Sequence, residues 1–412
     1  MTDKNNFFAS FPEAQELIKW HLKQKEKSIP GINGHIHTPH SFSAFTDIEQ
    51  AFQLAQKEGI KVLGINDFYT TGGYDEFAGL AKKYRIFPLF NIEFMTLQHD
   101  LQKEGVRVND PNNPGRTYLS GKGLRFPVNM SEHSLSKMRR LQTESNRQTY
   151  QMVDKLNDFF GKTGIDLFFD AAELQKKLAK TLFRERHIAQ AVRLAVYEKE
   201  SSEAGRIELF QKIFSGKSLK SSIEDFAGVE NEIRGNLLKT GGAAFVPEDA
   251  DAFLTLEEAV EVIIDAGGIT CYPVLLDDAK GNFTDYEEDW EKLLQALIAK
   301  DIYSIELIPG RNDFQILKKF VAFFHENGFL VTFGTEHNTP QLTPLEVTCR
   351  GGVPLDAQLR DINYEGAAIL AAHQYLVANG EEGYLKGKEA KTDEKEWFAD
   401  LGKAVIAYFQ KM

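Results

Sequence analysis

Two histidines one residue apart, in Gly31-Ile-Asn-Gly-His35-Ile-His37-Thr-Pro-His40-Ser-Phe-Ser43, are the residues whose types and spacing point most directly to chemistry. Ile32, Ile36 and the glycines read as a short buried strand. Side chains two apart on a strand share a face, so both imidazoles point the same way and make a clamp for a metal ion. Pro39 and the serines end the strand, which puts the rings at its C-terminal end, where parallel α/β folds collect their chemistry. A pair of packed or surface histidines has the same pattern, so the weight rests on what other strands bring alongside.

The next strands also end in polar groups. A helical pattern over Asp47–Glu58, closed by Gly59, leads to the apolar strand Lys61–Ile65, which runs into Asn66-Asp67-Phe68. A helix over Tyr74–Tyr84 leads to the strand Ile86–Ile92 and then Glu93. Strand and helix alternating at this spacing predict βαβ units, a parallel sheet, and strand ends gathered on one face. The pattern then breaks. Residues Asp100–Gly123, with Asn109-Asp-Pro-Asn-Asn-Pro-Gly115-Arg116, read as a long loop, which makes Arg116, Tyr118 and Lys122 candidate substrate contacts or else solvated charges. One strand is expected near Tyr118–Phe126. Ser131 to about Gly241 reads as an inserted helical region with Ser131 and Asp170 as caps, and Arg184-Glu-Arg186-His187 in it reads as a solvated helix face. Alternation resumes after Asp251: helix Thr255–Ala266, strand Ile269–Pro273, helix Trp290–Lys300, strand Ile302–Ile308 ending at Arg311, helix Phe314–Asn327, and strand Phe329–Phe333 ending in Gly334-Thr335-Glu336-His337-Asn338. About seven strands result. The expected organisation is an N-terminal helix over 1–30 and a barrel over 31–412, interrupted at about 100–250, with a helical tail from about 365.

At 412 residues, 42% hydrophobic and 26% charged, the chain is an ordinary globular protein with a large core. Its 60 acidic against 48 basic residues, a net charge of −12, argue against nucleic acid as a partner. Cys271 and Cys349 lack C-x-x-C spacing and read as reduced packing residues. The first residues are charged throughout, without the apolar run of a signal peptide, and no window is long and apolar enough for a membrane span; a cytoplasmic location is expected, with no membrane partner.

Taken in order, His35-x-His37, Asp67, Glu93, Gly267–Pro273 and Gly334-Thr335-Glu336 resemble the polymerase and histidinol phosphatase (PHP) family over roughly residues 31–99 and 267–340. The resemblance implies a distorted (β/α)7 TIM-like barrel, here with a helical insertion, and up to three metal ions hydrolysing phosphate esters. It maps the ligands of the first ion to His35, His37, Glu93 and Glu336. The family's third-ion histidines would fall at 43, 68 and 338, which here are Ser43, Phe68 and Asn338, so that ion should be absent and the Phe68 ring should fill its space. The Ala-His-Pro motif reads Cys271-Tyr272-Pro273, leaving a poor ligand for a second ion; His99, His133, His40 and His337 are the available substitutes.

Two imidazoles and two carboxylates suit Zn²⁺, Mn²⁺ or Fe²⁺, with fewer than three ions per chain and one as the expectation. Such an ion brings a bound water toward neutrality in pKa. Asp67 is then the expected general base or water-orienting group, with Arg311 or Arg116 neutralising a substrate phosphate. These residues predict a metal-dependent phosphoesterase acting on a small phosphorylated metabolite. The alternatives are a degenerate PHP domain that binds without catalysis, or a single-metal amidohydrolase-like enzyme, for which no suitably placed lysine is evident in the sequence.

Overall fold

The computed structural model describes residues 6–24, 28–278, 280–384 and 392–412. Seven strands form one sheet in chain order: β1 (Gly31–Ile36), β2 (Ile60–Phe68), β3 (Phe87–Leu97), β4 (Arg116–Lys122), β5 (Ile269–Val274), β6 (Ser304–Leu307) and β7 (Leu330–Phe333). Their residues are almost all buried on both faces, as expected where helices cover a sheet from outside and side chains fill it from inside. The sheet curls until its ends meet. His37 N–H donates to Glu336 O at 2.7 Å, and Thr335 and Glu336 both donate to His35 O at 3.1 and 3.0 Å, so the barrel is nearly closed at the strand that carries the two histidines.

Close approach at this seam needs a residue without a side chain. A Cβ on Gly334 would lie 2.3 Å from His35 Cβ. Glu336 and His337, just beyond, hold positive φ of 64° and 55°, a region non-glycine residues rarely adopt.

The sheet is not wholly parallel. β4 runs antiparallel to both β3 and β5, because the connection from β3 holds only the short helix His99–Glu104 and a loop, with no crossover to reverse the chain. Arg116, Tyr118 and Lys122, expected in a long loop, are therefore strand residues, and the strand begins and ends earlier than Tyr118–Phe126.

Five helices follow β4: Glu132–Thr163, Ala171–Leu178, Glu185–Lys199, Glu203–Ile213 and Phe226–Ile233, the last continuing as a single π turn over Arg234–Leu238. Ser131 and Asp170 cap the first two through their side-chain oxygens. These helices enclose their own apolar cluster, including Leu156, Phe160, Val192 and Phe210, distinct from the barrel's core. The N-terminal helix spans only Ala14–Leu22, buries Leu17 and leaves Leu22 exposed; 1–5 and 25–27 of the expected helix lie outside the described residues. In the tail, helices Ala357–Ala378 and Thr392–Lys411 pack together, with 385–391 outside the described residues. Both cysteines are free and buried. No helix among the described residues is long and apolar enough to cross a membrane.

Candidate metal centre

His35 and His37 project from the end of β1 with Nε2 atoms 3.2 Å apart, and Glu93 from β3 brings its Oε2 to 3.1 Å from His37 Nε2 and 3.9 Å from His35 Nε2. All three side chains are buried, and their donor atoms lie within 4.8 Å of one another. Two relays determine which ring nitrogens carry protons. Lys122 on β4 donates to Glu306 on β6, which accepts from His35 Nδ1 at 2.8 Å. Thr38 N–H and the Ser41 hydroxyl both donate to Asp67, leaving the Ser41 oxygen to accept from His37 Nδ1 at 3.0 Å. With both Nδ1 atoms protonated, both Nε2 atoms present lone pairs to each other and to a carboxylate.

Asn66 Nδ2 lies 3.1 Å from both His35 ring nitrogens, but the lone pairs of His37 Nε2 and Glu93 Oε2 still face each other in a buried site and repel unless a cation lies among them. Glu93 Oε2 is also buried with no hydrogen-bond partner. Burial holds His37 down to about 4, so its ring is neutral, and burial, reinforced by Glu336 and Glu306, pushes Glu93 up to about 8. A divalent ion would reverse that preference and ionise Glu93. The donor set therefore fits a divalent transition metal, held by His35, His37 and Glu93.

Glu336 lies beside this cluster and feels both histidines, but its carboxylate is paired with Arg311, which with the histidines keeps it in the charged form against its burial. His337 is not brought to the cluster. Its ring stacks on Phe45 while Nδ1 meets Thr335 Oγ1 and Nε2 meets Thr343 O, both at 2.8 Å. The other histidines weighed as ligands also lie elsewhere: His99 and His133 are exposed on helices, and His40 bonds to Thr181. Tyr272 donates to the buried Glu287. At the third-ion positions, Ser43 donates to the His37 carbonyl and the Phe68 ring packs on His37 at 4.8 Å between centroids.

The expected role of Asp67 needs correction. Its oxygens accept from Thr38 and Ser41 and it lines neither cavity at the site, so it orients His37 from behind and is not placed as a base. Arg116 is paired with Glu248 and Arg311 with Glu336, so neither guanidinium is free in this arrangement.

Glu306 reads in the sequence only as one polar residue inside an apolar strand. That interruption was the available signal, since a carboxylate in a buried strand must have a partner. Burial would raise its carboxyl, but Lys122 and His35 overcome this and hold it well below the usual range. Lys122 is likewise corrected: it is a wholly buried residue beneath the cluster, not a contact over it.

No family model matches the chain, and no curated protein matches it. Among solved structures, it is similar to one from Bifidobacterium adolescentis described as a "putative metal-dependent phosphoesterase", at 19% identity over 82% of this chain and 96% of that one, with a TM-score of 0.51. An amidohydrolase from Chromobacterium violaceum shares 17% identity over 81% of this chain and 96% of that one, with a TM-score of 0.47. At these identities the first likeness bears on the fold, a seven-stranded α/β barrel.

Proposed function

We propose that the chain is a metal-dependent hydrolase of the PHP type, carrying one divalent transition metal and acting on a small phosphorylated metabolite. The observation that carries this reading is the orphaned Glu93 Oε2 facing two Nε2 lone pairs at the buried end of a cleft. The phosphoesterase description of the Bifidobacterium protein supports the reaction class. When bound, the ion would supply an activated water as nucleophile. The chain's own residues do the rest. Glu306 and Ser41 hold the two imidazole tautomers, Phe68 keeps water from the outer face of His37, and Arg311 at the rim offers a cation to a substrate oxyanion once Glu336 turns to the ion.

Elemental analysis of the purified protein and a phosphate-release screen on small phosphate esters test the reading together. The expected result is about one transition metal per chain and metal-dependent turnover. His35→Ala should lose both while keeping its circular dichroism spectrum, because a core this large does not depend on a metal to fold. Metal retained by His35→Ala, or no turnover of any phosphate ester by the metal-loaded protein, would overturn it.

A further inference from the structure

The cleft continues past the His35, His37 and Glu93 cluster into a cavity of about 570 Å³ between the barrel rim and the helices 132–238, sharing Phe68, Arg116, Tyr118 and Lys239 with the space over the cluster. Its wall holds Arg116, Arg184, Arg186, Arg234 and Lys239, five cations against two carboxylates, Glu185 and Glu248. Both carboxylates are used: Glu185 pairs with Arg234 and Lys239, and Glu248 with Arg116. Neither Arg184 nor Arg186 has a carboxylate within ion-pairing distance among the described residues. Nη1 of each, and Nε of Arg234, are buried without a hydrogen-bond partner.

Each guanidinium also lies against an aromatic face. Arg184 lies over the Phe68 ring at 4.9 Å and Arg186 over the Phe42 ring at 5.5 Å, contacts that favour a cation at these positions. Burial, with the nearby Arg234 charge, lowers Arg186 to about 10. Unpartnered like charges in a low-dielectric cavity are unfavourable unless an anion satisfies them. The helix Glu185–Lys199 starts at this wall, so its positive end adds to the same field. Phe68 touches both Arg184 and His37, which puts this basic wall one aromatic ring from the cluster.

From this geometry we infer that Arg184 and Arg186 form a recognition subsite for a second oxyanion, a phosphate or carboxylate on the same small molecule whose reacting ester lies at the metal cluster. The inference rests on the hydrolase reading only in treating the cavity as the substrate's; the subsite itself can be tested without turnover. In the full-length His35→Ala/His37→Ala protein, which has no metal cluster, inorganic phosphate and malonate are titrated by calorimetry, with and without Arg184→Gln or Arg186→Gln. Saturable binding of one of the two anions is expected, weakened about tenfold or more by either arginine substitution, as for a lost charge-assisted hydrogen bond. The anion that binds more tightly names the class. With no anion present, the arginine variants should melt at the same temperature as the parent or higher, since a repelling charge has been removed; a purely structural arginine would instead lower it. In the metal-loaded protein with His35 and His37 intact, the same substitutions should raise KM more than they lower kcat for any ester found to turn over. Absence of anion binding, binding unchanged by both substitutions, or lowered melting temperatures in both would overturn the subsite. Failure of turnover with anion binding intact would overturn the hydrolase reading alone.

Discussion

At the scale of single residues, the candidate metal centre depends on groups outside the His35, His37 and Glu93 cluster. Glu306 keeps the His35 proton on Nδ1 and is itself neutralised by Lys122, both buried in the barrel. Glu306→Gln should therefore do two separable things. It should weaken metal binding by about 10- to 100-fold through the lost orientation of His35, and destabilise the fold by roughly 3–5 kcal/mol by leaving the Lys122 ammonium buried and unpaired. Adding Lys122→Met should recover much of the stability but not the affinity. Denaturant titration and metal competition check the two halves; full recovery of affinity in the double variant would show that Glu306 acts only through Lys122.

Among the elements, the seam between β1 and the end of β7 determines where His35 stands. Gly334→Ala would place a methyl 2.3 Å from His35 Cβ and 2.8 Å from its backbone nitrogen, so β1 must shift. The expected cost is roughly 1–3 kcal/mol of stability, together with weaker metal binding. Gly79→Ala is the control. That glycine is exposed in the helix Tyr74–Tyr84 with nothing within 4 Å of an added Cβ, and alanine there should stabilise by about 0.5–1 kcal/mol. If both substitutions had the same small effect on melting temperature, the seam would be looser than its geometry indicates. The element scale also explains the antiparallel β4. It places Ser120 and Lys122 in the barrel interior, where both donate to Glu306, so the departure from a parallel sheet is also what supports the centre.

Across the whole molecule, acid should unfold the protein through buried histidines outside the metal cluster. His187 in the helical region and His373 in the helix Ala357–Ala378 are each held down to about 4 by burial. Unfolded, each would titrate near 6.5. Above that value neither state binds the proton; as pH falls from 6.5 toward 4 the unfolded chain takes it up first, so stability is lost across that window and not above it. Between pH 7 and 5 the loss should be about 2 kcal/mol for each histidine. His373→Gln keeps a donor for the Gly267 carbonyl, which now accepts from Nε2 at 2.8 Å, and should flatten the fall by one histidine's share in denaturant titrations at a series of pH values. An unchanged slope would mean that His373 is already charged in the folded chain.

His35-x-His37 on a strand, Glu93 on the third strand and the order of strands and helices were legible in the sequence because they rest on local periodicity: a strand's alternation puts two histidines on one face whatever lies around them. The strand's end was not, for β3 continues past Glu93 to Leu97. What each polar group meets was not legible. Asp67, Arg116, Arg311 and His337 have types suited to the roles expected of them, yet Asp67 is engaged behind His37, both arginines are paired with carboxylates distant in the chain, and His337 turns to a neighbouring loop. Glu306 and Lys122 are nearly two hundred positions apart and meet only because β4 and β6 face one barrel interior. Arg184 and Arg186 have the alternating charge of a solvated helix, and only the packing of that helix against the barrel rim half-buries them beside Phe68 and Phe42. Periodicity depends on neighbours a few residues away; partnership and burial depend on which distant surfaces close over a side chain, and in this protein that is decided by the barrel's closure and the helices packed on its rim.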